Sequence, residues 1–233
     1  MRLIISGGGT GGHVYPALAA VPKLKHLCAD LHLLWVGSQG GMEQALVERA
    51  GLTIESIAAG GLRGKNPLAV IKGLWKLGQG YQQSRQIMRR FQPEVVFVTG
   101  GYVCVPVTLA AWRAGVPVII YLPDIEPGLA IKFLARFARR VAVTAPEAQK
   151  FFKPGLTVVT GYPVRDEFFN TPLNPPATGR GRRRGLQLGL TADLPVLMVF
   201  GGSRGAQHQH GCHAEFGSLA APVPTCPCDR ESG

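Results

Sequence analysis

Residues 3–13 read Leu-Ile-Ile-Ser-Gly-Gly-Gly-Thr-Gly-Gly-His, and this stretch decides the fold. A short apolar run, Leu3–Ser6, leads directly into a glycine-rich turn, and the segment that follows, Tyr15–Leu27, has a helical pattern. Free backbone amides at the start of such a helix favour anions close to the end of the strand. Strand, glycine turn and helix in this order predict the beginning of an α/β fold.

The same alternation of apolar strands and helices continues along the chain. Continuously apolar strands joined by helices predict a parallel sheet that is covered on both faces. Ligands of such sheets bind beyond the carboxyl ends of the strands. The predicted strands are Leu3–Ser6, Leu31–Gly37, Thr53–Ile57, Val95–Thr99, Val116–Tyr121, Val141–Thr144, Thr157–Thr160 and Val196–Phe200, and the predicted helices are Tyr15–Leu27, Met42–Ala50, Pro67–Phe91, Val105–Ala114 and Gly128–Phe137.

Length and composition predict one whole domain and part of another. The chain has 233 residues, of which 46% are hydrophobic and 17% charged, so a largely disordered chain is excluded. A run rich in proline, glycine and arginine is typical of a linker. We therefore expect a first domain over residues 1–166, a linker over 167–194, and the first strand and glycine loop of a second domain over 195–206.

The charge balance predicts an anionic partner. Lys and Arg number 25 against 14 Asp and Glu, a formal net charge of +11. The apolar start is too short for a signal peptide. One uncharged stretch, residues 95–112, approaches the length of a membrane span, but its glycines and proline favour strand, loop and helix.

Three glycine loops follow predicted strands. They occupy residues 7–12, 99–102 and 201–206. Because the carboxyl ends of parallel strands meet at one edge of a sheet, three such loops indicate a cleft for a phosphorylated ligand.

The first loop also fits a dinucleotide fingerprint. Gly7, Gly9 and Gly12 satisfy G-x-G-x-x-G, which makes an NAD(P)-dependent oxidoreductase an alternative. That fingerprint needs an acidic residue at the end of the second strand, and here the first acid after that strand is Glu43. The oxidoreductase interpretation is therefore weaker than that of a loop that binds another phosphorylated ligand. A tight turn with a purely structural role is the other alternative.

Five motifs together resemble the MurG family in order and spacing: GGGTGGHVYPALA (7–19), GLRGK (61–65), GGYVCVP (100–106), GYPVR (161–165) and GGSRGA (201–206). These bacterial glycosyltransferases move N-acetylglucosamine from UDP-N-acetylglucosamine to undecaprenyl-pyrophosphoryl-N-acetylmuramoyl-pentapeptide (lipid I), which gives lipid II. The resemblance implies a GT-B fold of two Rossmann-like domains that face each other across a cleft, without metal or cofactor. It also implies an N-terminal domain that binds the acceptor and a C-terminal domain that binds most of the donor.

The resemblance assigns roles residue by residue. Asp124 stands where the family has the asparagine of its H-E-Q-N segment, so its contact with the donor is in doubt, and capping of the following helix is the alternative. The second loop is assigned to the acceptor and its pyrophosphate through Gly100, Gly101 and Tyr102. The implied donor-binding residues are Thr10, Gly11, Gly12, Asp124, Arg165 and Ser203.

Glycosyl transfer needs a base for the acceptor hydroxyl, and His13 is the candidate. Unperturbed imidazole has a pKa of ~6.5, which suits a base at neutral pH. His13 has two other possible roles, orienting the loop or binding the acceptor pyrophosphate. Asp124 and Glu126 form a second, weaker candidate pair, because acids near helix starts are common for capping alone. Arg165 either stabilises the leaving pyrophosphate or pairs with the neighbouring acids.

A basic and apolar segment lies between Glu55 and Glu94. It contains no acid and seven basic residues, with apolar side chains and a tryptophan among them. Such a helix either lies on anionic lipid or turns its apolar side chains to the core. The resemblance favours lipid and implies a peripheral protein on the cytoplasmic face of the membrane; no nucleic-acid module is recognised. The membrane patch is assigned to Leu68, Ile71, Lys72, Leu74, Trp75 and Lys76.

The composition changes in the last 27 residues, 207–233, which show no helical periodicity. They hold three of the six histidines and three of the five cysteines, but their spacings match no established zinc site. Read one base later, the codons for residues 207–216 permit Ser-Ile-Asn-Thr-Ala-Val-Met-Gln-Asn-Leu, a helix start that resembles the family. We therefore expect an out-of-frame, disordered tail and no appreciable transferase activity in the chain as written. A non-catalytic module that binds pyrophosphoryl lipid is the remaining alternative.

Overall fold

The computed structural model describes residues 1–60 and 67–164, with the backbone alone at residues 67–70 and 72. Residues 1–165 form one compact unit, and the second unit, residues 166–233, lies outside the described residues. The strands are β1 (Arg2–Gly7), β2 (His32–Ser38), β3 (Ile54–Ile57), β4 (Val95–Gly100), β5 (Val118–Leu122), β6 (Arg140–Val143) and β7 (Thr157–Val159). The helices are α1 (Gly11–Leu27), α2 (Glu43–Arg49), α3 (Pro67–Phe91), α4 (Cys104–Arg113) and α5 (Leu129–Leu134), with a 3₁₀ helix at Pro146–Phe151.

All seven strands form one parallel sheet in the order β3-β2-β1-β4-β5-β6-β7. The predicted parallel α/β fold is confirmed. From β1 the chain moves outward to β2 and β3, and it then returns to the other side of β1 to form β4. The connections that follow β1 and β4 therefore run in opposite directions along the sheet, and the carboxyl ends of strands at such a switch point are where open α/β sheets bind ligands.

Side chains that alternate along β1 build a core on each face of the sheet. Leu3 and Ile5 pack with Val14 of α1 and Val47 of α2 on one face. Ile4 belongs to the other face, in the cluster that α3, α4 and α5 cover. Full burial of such a side chain contributes ~1.5–3 kcal/mol, so β1 is anchored from both sides. The loop that follows it is correspondingly well fixed at its origin.

Two helix boundaries differ from the sequence-based prediction by more than one residue. α1 begins at Gly11 rather than Tyr15, because its first turn is part of the glycine loop and glycine has a low helix propensity that hides the start. α5 ends at Leu134 rather than Phe137. There the chain turns toward β6, and the ring of Phe137 packs edge-on against Trp112 at a centroid distance of 5.1 Å.

Cys104, at the start of α4, is fully buried beneath the loops that follow β1 and β4. Its thiol donates to the carbonyl of Gly100 at 3.0 Å and lies 3.4 Å from the carbonyl of Ser6. Burial raises the pKa of Cys104 from 9.0 to about 11. Because the folded pKa is the higher one, the protonated thiol stabilises the fold below pH 9.0, and this contribution is lost as the pH rises toward 11.

We expect Cys104 to resist alkylation in the folded chain while the half-buried Cys28 reacts. Treatment with iodoacetamide at pH 8.5 and peptide mapping by mass spectrometry measure this directly, because only a thiolate that reagent can reach is modified. Urea provides the control, since unfolding must make both cysteines reactive. Equal labelling of Cys28 and Cys104 without urea would contradict the packing described for α4.

Candidate active site

Two glycine loops meet at the carboxyl ends of β1 and β4. The first glycine loop, residues 7–12, and the second, residues 99–102, are joined by a hydrogen bond of 3.2 Å from the Gly8 amide to the Gly100 carbonyl. The hydroxyl of Thr99 donates to the carbonyl of His13 at 2.5 Å. A Cβ on Gly101, whose φ is +91°, would lie 2.5 Å from the Gly8 carbonyl oxygen. The loops approach this closely only because Gly101 has no side chain.

His13 lies half-buried at this junction, in the first turn of α1. Its ring Nδ1 is 3.1 Å from the carbonyl oxygen of Gly8 and 3.3 Å from the hydroxyl of Thr10. A carbonyl oxygen can only accept, so the contact with Gly8 favours the tautomer in which Nδ1 carries the proton and is the hydrogen-bond donor. In that tautomer the ring lone pair resides on Nε2. The ring packs against Gly100, where a Cβ would lie 2.8 Å from Nε2.

The first turn of α1 offers free amides beside His13. Thr10 is the N-cap in extended conformation, and its side chain makes no capping hydrogen bond. Gly11 and Gly12 are the first helical residues, whose amides have no partner within a helix. Such amides and the helix dipole favour an anion. The predicted donor-binding residues Thr10, Gly11 and Gly12 thus lie in one turn.

Glu43 faces the first glycine loop from α2 and is a site residue that the sequence pattern did not indicate. Its side chain is fully buried and accepts hydrogen bonds from the amide of Gly9 at 3.3 Å and from the amide of Ser38 at 2.7 Å. A dinucleotide site needs an exposed acid at the end of β2 for the ribose. Glu43 is buried and not available for that contact, which further weakens the oxidoreductase interpretation.

Three polar groups cluster where β5 ends. Tyr121 is buried, donates to the Gly161 carbonyl at 3.4 Å and packs edge-on against Tyr162 at a centroid distance of 6.4 Å. Burial and the negative charge of Asp124 raise the pKa of Tyr162 above its usual range. Asp124 is exposed and lies four residues before Gly128, the N-cap of α5, so it does not occupy the capping position. Glu126 pairs with Lys132 at 3.6 Å on the surface.

The described residues of the predicted membrane patch form an exposed surface of α3. Ile71 is 62% exposed, Leu74 55% and Trp75 66%, and Lys76 is exposed beside them. The core contacts of α3 come instead from Ile87 and Met88 near its end. The side chains of Leu68 and Lys72 lie outside the described residues. Across residues 1–60 and 67–164, no helix is both long and apolar enough to cross a membrane.

Several predicted features are not described. Arg165, Ser203, the GLRGK motif, the linker, the strand at 196–200 and the tail from residue 207 all lie outside the described residues. Within the part that is described, no three His, Cys, Asp or Glu side chains are grouped so that they could hold a metal ion.

The contact between the loops predicts unequal costs for two glycine substitutions. Gly115 has φ +73° and open space around it, whereas Gly101 has φ +91° and the Gly8 backbone against it. Gly115→Ala should lower the free energy of unfolding by about 1–2 kcal/mol through backbone strain alone. Gly101→Ala should cost ~1–3 kcal/mol more because of the clash. Urea denaturation measures both values, and equal costs would contradict the close approach of the loops.

Comparison with known proteins agrees with the fold and the motifs. Residues 3–143 match the glycosyltransferase family 28 N-terminal domain. A protein of Bacillus cytotoxicus named UDP-N-acetylglucosamine–N-acetylmuramyl-(pentapeptide) pyrophosphoryl-undecaprenol N-acetylglucosamine transferase is 38% identical over 207 residues, which are 89% of this chain and 55% of that protein. A Desulforudis audaxviator protein of the same name is 44% identical over 209 residues, 89% of this chain and 54% of its own. The chain spans about half the length of these relatives.

Solved structures show the same fold. The crystal structure of Acinetobacter baumannii MurG superposes with a TM-score of 0.59 and 27% identity, over 70% of this chain and 46% of its own. A Rickettsia africae glycosyltransferase has a TM-score of 0.60 at 10% identity, over 83% and 51% of the two chains, and is similar in fold alone. The predicted resemblance to MurG proteins and the Rossmann-like N-terminal domain are thereby confirmed. The chain belongs to glycosyltransferase family 28, and residues 3–143 form the N-terminal domain of that family.

Proposed function

We propose that this chain is the acceptor-binding half of a hexosyltransferase. The reaction moves N-acetylglucosamine from UDP-N-acetylglucosamine to undecaprenyl-pyrophosphoryl-N-acetylmuramoyl-pentapeptide. The observation that carries the proposal is the junction of the two glycine loops, where His13 lies in the first turn of α1 after Gly11 and Gly12 and packs its Nε2 atom against Gly100. The names of the Bacillus cytotoxicus and Desulforudis audaxviator relatives describe this donor and this acceptor.

In the proposed reaction, His13 is the general base. The hydroxyl of the muramoyl sugar attacks the anomeric carbon of N-acetylglucosamine and forms the new C–O bond. The bond from that carbon to the phosphate oxygen of UDP breaks, and UDP keeps the electron pair. The hydroxyl proton passes to Nε2 of His13, which is the unprotonated ring nitrogen because Nδ1 donates to Gly8.

Free amides and cations would stabilise the charge of the pyrophosphate groups. We assign Thr10, Gly11 and Gly12 to the donor, since their turn combines amides without helical partners and the positive end of the α1 dipole. We also assign Asp124, which is exposed just after the end of β5, to the donor. Arg165 and Ser203 complete the assignment by the resemblance of their motifs.

The second glycine loop is assigned to the acceptor. The backbone of Gly100 and Gly101 packs closely against the first loop and His13. The next residue, Tyr102, is 40% exposed. An acceptor pyrophosphate at this loop would place its muramoyl sugar near His13.

We assign the exposed surface of α3 to the membrane that carries the acceptor. Ile71, Leu74 and Trp75 offer apolar side chains to lipid, and Lys76 lies among them. Lysines next to an interfacial tryptophan favour anionic headgroups. The proposal includes a peripheral location on the cytoplasmic face of the membrane, where the acceptor would be anchored.

Loss of the base should reduce turnover while donor binding persists. The assay uses a two-domain version in which residues 1–165 precede the second half of the Desulforudis audaxviator relative. His13→Ala should lower kcat roughly 10²–10⁴-fold and leave the KM for UDP-N-acetylglucosamine nearly unchanged. His26→Ala, at the exposed far end of α1, is the matched control and should be silent. Near-normal turnover by His13→Ala would exclude it as the base, and a two-domain version without transfer would contradict the proposed function.

Binding to vesicles tests the membrane surface. The chain should sediment with phosphatidylglycerol vesicles and less with phosphatidylcholine vesicles, and the difference should shrink as salt screens the charges. Replacing Ile71 and Trp75 together by serine should weaken binding at least about tenfold, since a buried apolar side chain contributes ~1.5–3 kcal/mol. Leu27→Ser, 81% exposed on α1, is the control and should bind as the wild type does. Equal or absent binding to both vesicles would refute the assignment.

A further inference from the structure

One peptide group connects Glu43 to His13. The amide of Gly9 donates to Oε2 of Glu43 at 3.3 Å, and the carbonyl of Gly8 accepts from Nδ1 of His13 at 3.1 Å. This amide and this carbonyl belong to the same peptide bond, Gly8–Gly9. Since a trans peptide directs its N–H and its C=O to opposite sides, the carboxylate and the imidazole hold the group from both ends.

The carboxylate of Glu43 is built into the site rather than placed there incidentally. It is fully buried, and none of the ion pairs among the described residues includes it. Its charge is met by hydrogen bonds instead: Oε1 accepts from the amide of Ser38 at 2.7 Å and from the hydroxyl of Ser38 at 2.5 Å. An uncompensated buried carboxylate would be strongly destabilising, so these donors are needed to keep it in place.

Three glycines lie so close to this side chain that none of them could carry a Cβ without displacing or crowding it. A Cβ added at Gly8 or at Gly41 would overlap its oxygens, and one at Gly37 would lie 3.1 Å from its Cγ. Three glycines from three different segments therefore line the position of one side chain. The first glycine loop is thus shaped as much around Glu43 as around any ligand.

A carboxylate that accepts from a peptide N–H polarises the peptide group and makes its carbonyl a better acceptor. That carbonyl is the partner of His13 Nδ1–H. We propose that Glu43 is a positioning residue that acts on His13 through the Gly8–Gly9 peptide, fixing the tautomer in which Nε2 is unprotonated. In hydrolytic triads a carboxylate orients its histidine by direct contact; here the contact runs through one peptide group. The catalytic use of that Nε2 atom rests on the proposed function, whereas the coupling itself does not.

The test reads the tautomer of His13 in the full chain by ¹⁵N NMR of labelled histidine rings at pH 8.5, where unperturbed imidazole is neutral. His13→Ala serves only to assign its signals among those of the six histidines. The wild type should show the Nδ1–H form. Glu43→Gln should shift the tautomer ratio toward Nε2–H by roughly two- to tenfold, the range that one hydrogen bond sets. Glu48→Gln, exposed on the same helix, is the matched control and should leave the ratio unchanged.

Hydrogen exchange of single amides supplies the second measurement. The Gly9 and Ser38 amides of the wild type should exchange more slowly than those of Glu43→Gln, by about tenfold or more. If that variant does not fold, the wild type alone decides: an Nδ1–H tautomer with a protected Gly9 amide supports the proposal, and an Nε2–H tautomer or an unprotected Gly9 overturns it.

The two proposals fail separately. An unchanged tautomer in folded Glu43→Gln overturns the coupling and leaves the transfer reaction untouched. A tautomer shift together with absent transfer in the two-domain version overturns the proposed function and leaves the coupling standing.

Discussion

The close approach of two backbone loops at the carboxyl ends of β1 and β4 is the constraint on which the site depends. The Gly8 amide reaches the Gly100 carbonyl, and Gly101 is free of a side chain where it meets Gly8. Both loops start from strands at the centre of a sheet with a core on each face, so their origins are well fixed. Any side chain at the contact would separate the loops and move His13, which lies against both of them.

The first glycine loop shows how one sequence fingerprint can serve different chemistry. In a dinucleotide site, the amides of such a loop bind pyrophosphate, and an acid after the second strand binds the ribose. Here the acid after β2 is Glu43, and it is turned inward, where it occupies the Gly9 amide itself. The amides without helical partners are those of Gly11 and Gly12, where the loop ends and α1 begins. An anion is therefore favoured at this end of the loop, next to His13, rather than at Gly9.

The sequence predicted what depends on local pattern. Apolar runs marked all seven described strands, and a proline marked the start of α3 at Pro67. The glycine loops and His13 were recognisable because strand ends of a parallel sheet meet at one edge. The role of Glu43 in the site could not be predicted, because spacing along the chain does not tell which way a side chain of α2 points. Its signal was present only as an acid that follows Gly40 and Gly41 after a buried strand, and the start of α1 was hidden by glycines that rarely begin a helix.

Ligand mapping on the chain itself tests the central claim, that the junction of the two loops binds a pyrophosphate-linked sugar. A water-soluble acceptor analogue, N-acetylmuramoyl-pentapeptide pyrophosphate on a short prenyl chain, would be titrated into ¹⁵N-labelled chain while amide shifts are followed by NMR. Saturable shifts that are largest at the acceptor loop, Gly100–Tyr102, and that extend to His13, with none on addition of NADH, are the predicted result. Shifts confined to other parts of the sheet, or stronger effects of NADH than of the acceptor analogue at these loops, would contradict it.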